Sequence, residues 1–72
     1  MTTYRTNVEG VTVQHRTLLE ADRRYLRAAH AGRPAALYID DQCAGVTNWA
    51  NGPSVDAYTR ETYLRIMGAS DE

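Results

Sequence analysis

Tyr4-Arg5-Thr6-Asn7-Val8-Glu9-Gly10-Val11-Thr12-Val13-Gln14-His15 is the stretch whose reading decides the fold. Tyr4, Thr6 and Val8 alternate with polar neighbours; Val11, Val13 and His15 then alternate in the opposite parity, and the parity changes at Glu9-Gly10. A two-residue turn explains the change. Glycine tolerates the positive φ that such turns require, and pairing Val8 with Val11 and Thr6 with Val13 sets the valines on one face. The competing reading is one long strand bent by a bulge at Gly10, which would make the order βαββα.

Downstream of the hairpin, Thr17 as N-cap with Glu20 three residues on forms a capping box; Gly32 sits where a left-handed C-cap belongs, and Pro34 forbids continuation. A helix from about Leu18 to Ala31 follows. At 100° per residue, Leu18, Ala21, Tyr25, Leu26, Ala28 and Ala29 share one side, while Arg16, Arg23, Arg24 and Arg27 lie on the other with Glu20 among them.

Ala35 to Ile39 is an apolar run of strand formers, Asp40-Asp41-Gln42-Cys43 reads as a turn, and Ala44 to Trp49 returns as the partner strand. Leu37, Ile39, Ala44 and Val46 are expected to face inward. Asn51-Gly52-Pro53 breaks the chain, Ser54 is the expected cap of a second helix, and Gly68 ends it near Met67. Its apolar stripe is Val55, Tyr58, Thr59, Thr62, Tyr63 and Ile66, with Leu64 and Ala57 on the far side. Ala69 to Glu72 read as a frayed tail.

Two similar units emerge, about 4–32 and 35–68, and short motifs recur in the same order: Gly10-Val11-Thr12 before Tyr25-Leu26-Arg27, then Gly45-Val46-Thr47 before Tyr63-Leu64-Arg65. Two ββα units pair their strands into one sheet and lay both helices on one face, an α+β domain of order ββαββα.

At 72 residues the chain is one small domain, and about 60–65% burial of the unfolded chain's surface leaves a marginal core. Self-association is the expected supplement. Cys43 is the only cysteine, so no internal disulfide is available. His15, His30 and Cys43 show no ligand spacing, so neither metal nor cofactor is expected. The single thiol and the absence of a signal-like apolar run at Met1–Arg5 suit a cytoplasmic protein. No segment is long enough to span a bilayer. All eight basic residues are arginine, and alanine occurs ten times, the usage of a G+C-rich genome such as that of an actinobacterium or its phage. Charge is uneven: Arg16 to Arg33 carries five arginines against Glu20 and Asp22, whereas Asp40 to Glu72 carries Arg60 and Arg65 against six carboxylates.

Asp40 and Asp41 are turn residues rather than an acid–base pair, because neighbouring strand residues point to opposite faces and Asp suits hairpin turns. Cys43 lacks an adjacent histidine in any motif and reads as a small packed residue. The arginine face of Arg16, Arg23, Arg24 and Arg27 is the candidate docking surface for an acidic protein, with nucleic acid as the rival ligand. The sheet face away from the helices is expected to show Arg5, Asn7, Thr12, Gln14, Tyr38, Thr47 and Trp49. Tyr38, Thr47 and Trp49, together with Leu64 on the spare helix face, are the candidate interface with a second copy. The expected function is thus a non-enzymatic, homodimeric binding protein; a nucleic-acid-binding regulator and a small enzyme with a site between subunits are the alternatives.

Overall fold

The structure, a computed structural model, describes residues 2–69. Its element order is β1 (Tyr4–Val8), β2 (Val11–His15), α1 (Leu18–His30), β3 (Ala35–Ile39), β4 (Gln42–Thr47) and α2 (Ala57–Ala69). Two hairpins join through their first strands into one antiparallel sheet, β2-β1-β3-β4. The ββαββα order holds, and the bent-strand alternative falls because Val8 pairs with Val11 across Glu9-Gly10. Both hairpin turns place two residues at positive φ: Glu9 and Gly10 at 52° and 90°, Asp40 and Asp41 at 50° and 67°. Their twist matches the strands they join. Asp therefore closes the second hairpin with two residues rather than four, and β4 starts at Gln42 instead of Ala44.

Helix α1 is fixed by local chemistry. Thr17 Oγ1 accepts the Glu20 N–H (3.2 Å), and Glu20 Oε2 accepts the Arg16 N–H (3.4 Å). At the other end Gly32 takes φ +73°, with Arg33 N–H donating to Ala28 C=O (2.9 Å) and Gly32 N–H to Ala29 C=O (3.1 Å). That paired closure satisfies carbonyls the helix leaves open. Helix α2 is capped by Asp56 rather than Ser54: Asp56 Oδ1 accepts both the Thr59 N–H and the Thr59 hydroxyl, each at 2.8 Å. It continues through Gly68 to Ala69. Of the expected tail, Ala69 to Glu72, the first residue is instead the last of α2, and 70–72 lie outside the described residues.

Both helices pack on one face of the sheet, α1 over β1 and β3 and α2 over β4. Their core joins Leu18, Ala21, Tyr25 and Ala28 of α1 to Ala35, Leu37, Ile39 and Ala44 of the sheet and Tyr63 of α2. Tyr25 lies against Gly45, where an added Cβ would sit 3.0 Å from its hydroxyl oxygen. The Tyr63 hydroxyl donates to buried Asp22, tying the helices together. Burial, and then this bond to a carboxylate, push Tyr63 well above the ordinary phenol range.

Several expected orientations change. The β3–β4 register shifts between Leu37 and Tyr38, so Cys43 opposes Tyr38 and Gly45 opposes Leu37, with Ala44 as the extra residue. Parity then inverts: Ala44 remains in the core, Val46 pairs with Ala36 on the far face, and Thr47 pairs with Ala35 on the helix side. Leu26 is exposed, as are Tyr58 and Ile66, so the α2 stripe narrows to Thr59 and Tyr63, with Met67 packed beside the core. Val55 precedes the helix. Val11 and Val13 share Thr6's face yet are 58% and 37% exposed, because β2 is the edge strand and α1 covers it less than it covers β1 and β3. The recurring glycines are not equivalent in place: Gly10 is a turn residue, whereas Gly45 lies inside β4.

Candidate functional site

The arginines of α1 divide. Arg23 and Arg27 stand exposed on the outer side of the helix, and no hydrogen bond or ion pair holds either guanidinium among the described residues. Arg24, expected beside them in solvent, is half-buried and turned over the first hairpin. Its Nη1 donates to Thr6 Oγ1 (2.7 Å), Thr6 C=O (3.2 Å) and Val11 C=O (3.3 Å). Thr6 is fully buried, and its hydroxyl, which accepts from Arg24, also shares a hydrogen bond with His15 Nε2 at 2.8 Å. The imidazole thus lies close to a guanidinium. Its pKa is pushed down by burial first and by Arg24 second, against the pull of Glu20.

Between α1 and the turn of the first hairpin lies a cleft of about 560 Å³. Arg23, Arg24, Arg27 and Arg33 line it with Glu20, over a floor that includes Val8 and Ala28. Arg33 enters from the loop after Gly32 and pairs with Glu9 at 3.7 Å. Four arginines and one carboxylate line the cleft, and the planar fork of arginine fits carboxylate and phosphate oxygens two at a time. Arg16 is not part of it. Sequence periodicity put Arg23 and Arg27 on the exposed side of the helix, where they lie, but gave no sign of Arg33 beside them, whose position depends on the helix-ending turn at Gly32.

Tyr38, Thr47, Trp49 and Leu64 do not form one surface. Tyr38 lies on the far face under Arg5, whose guanidinium carbon is 4.9 Å from the ring centroid, while Arg5 also pairs with Asp41 at 3.0 Å. Thr47 is at the other end of β4 and on the opposite face. Trp49 follows β4 in a loop that folds back, with a Cβ on Gly52 only 2.9 Å from Val46 Cγ2 and 3.0 Å from Trp49. Leu64 is exposed on α2, across the sheet from Tyr38. The far face is accordingly less open than alternation predicts, and Ala36 and Cys43 on it are buried.

The residues weighed for chemistry have structural partners. Asp40 Oδ1 accepts the Thr3 N–H (2.8 Å) while its own N–H donates to Thr3 C=O (3.0 Å). The Cys43 thiol donates to Gly45 C=O at 3.4 Å, and burial raises its pKa. Among the described residues no group of three or more His, Cys, Asp or Glu is placed to hold a metal ion, and no helix is long and apolar enough to cross a membrane. The chain matches no known protein family, no curated protein and no solved structure.

Proposed function

We propose that this chain is a non-enzymatic binding protein of the cytoplasm that docks an acidic segment of another protein in the arginine cleft. The observation that carries this reading is the pair Arg23 and Arg27, two cations without partners among the described residues, on a concave surface that Arg24 and the Glu9-paired Arg33 also line. Keeping unneutralised guanidiniums together costs Coulomb repulsion, which an incoming carboxylate relieves. Nucleic acid is the second reading, favoured by the same arginines. Against it stand a formal net charge of −1, which gives no long-range attraction to a polyanionic duplex, and a cleft only a few side chains long.

A glutamate-rich peptide and a DNA duplex, titrated at several salt concentrations, separate these readings. The peptide is expected to bind and the double variant Arg23→Ala/Arg27→Ala to lose at least about tenfold in affinity, since one charge-assisted hydrogen bond is worth about 1.5–3 kcal/mol. Equal peptide binding by the variant overturns the proposal. Tighter duplex binding with a steep salt dependence transfers it to nucleic acid.

A further inference from the structure

The two edges of the sheet are treated differently. In a hairpin closed by a two-residue turn, the residues flanking the turn exchange both backbone bonds, and the next residue along the return strand points its N–H and C=O outward. In β4 that residue is Cys43, and its C=O is taken by the Asp56 N–H at 2.9 Å. The residue just before α2 thus caps the β4 edge at Cys43. In β2 the equivalent residue is Thr12, followed by Gln14 two places on. No backbone bond from another part of the chain reaches either one among the described residues.

Strand β2 also lacks what normally guards an edge. It has no proline, no bulge and no Asp, Glu, Lys or Arg, and its five pairs with β1 are regular. Its helix-side valines are bare.

We propose that β2 pairs antiparallel with β2 of a second copy of this chain about a two-fold axis at Val13, making one continuous eight-stranded sheet. The register follows from which groups point outward. Thr12 and Gln14 must form the hydrogen-bonded pairs, so Thr12 opposes the second copy's Gln14 and the converse. Val13 opposes its own copy, and Val11 opposes the second copy's His15. Each face then matches: Val11, Val13 and His15 continue one row, Thr12 and Gln14 the other. A second copy suits this edge better than a charged partner, because the strand offers no charge to complement and its sequence faces itself without like-charge contact. With the β4 edge occupied, association closes at two chains rather than growing into a fibre. The inference is independent of the arginine cleft.

Sedimentation over a concentration series tests it, with Val13→Lys, Val13→Glu and their equimolar mixture. An interface of this size belongs to the weak class, so the wild type is expected to pass from monomer to dimer between about 10 μM and 1 mM. Each variant is expected to stay monomeric with an unchanged thermal transition, and the mixture to recover the dimer. Should the variants misfold, the wild type alone decides: exchange of the Thr12 and Gln14 amides slows as its concentration rises. A wild type still monomeric at about 1 mM, a V13K dimer as stable as the wild type's, or amide exchange independent of concentration overturns the proposal.

Discussion

Gly45 and His15 show how tightly single residues are specified in so small a core. A Cβ at Gly45 would come within 3.0 Å of the Tyr25 hydroxyl and 3.3 Å of Cζ, so the ring must move. Overpacking of this kind costs about 1–3 kcal/mol and outweighs the backbone-entropy gain of about 0.4–1 kcal/mol from replacing glycine. Gly45→Ala is therefore expected to lower the melting temperature by several degrees; a rise would show that Tyr25 has room. His15 makes a prediction about acid. Its folded pKa lies below the ordinary 6.5, so the native state binds fewer protons than the unfolded one. The stabilisation is complete above that value and is lost as pH falls toward the folded pKa. Melting measured from about pH 7.5 down to pH 5 should fall more steeply for the wild type than for His15→Asn. Parallel curves would mean that the Arg24–Thr6–His15 chain does not depend on a neutral imidazole.

Elements whose signals are local were legible in the sequence, and those fixed by distant contacts were not. The first hairpin and α1 were readable because the parity change at Glu9-Gly10, the Thr17–Glu20 box and the Gly32 turn all act within a few residues. The β4 bulge was hidden, since it serves the packing of Tyr25 on Gly45, two residues far apart in sequence. Ser54 and Asp56 are equally good caps in isolation. The choice falls to Asp56, whose N–H also closes the β4 edge on Cys43. Arg24 illustrates a different limit: periodicity gives the angle of a side chain around the helix, not how far it reaches across the neighbouring strands. Asp56 also carries an expectation at this scale. Its carboxyl is held below the ordinary carboxylate range by the Thr59 N–H and hydroxyl, so the cap is strongest above the unfolded pKa and weakens as pH falls through the lowered value. Asp56→Asn should retain α2 with less acid sensitivity, and Asp56→Ala should lower the thermal transition at neutral pH. An alanine variant as stable as the wild type would place the cap elsewhere.

For the whole molecule, polarity of charge is resolved into a place. The basic excess of residues 16–33 concentrates at one cleft between α1 and the first hairpin, while Arg5, Arg24 and Arg33 are engaged with Asp41, the first hairpin and Glu9. The cleft, its floor and Arg33 come from three separate segments, which is why the site was only partly visible in sequence. Nuclear magnetic resonance titration of the labelled protein with a glutamate-rich peptide is the direct measurement. Saturable shifts are predicted at Val8, Glu20, Arg23, Arg27, Ala28 and Arg33, with Tyr38 and Trp49 unmoved. Shifts centred on Tyr38 and Trp49, or none that saturate, would contradict the assignment of this cleft as the binding site.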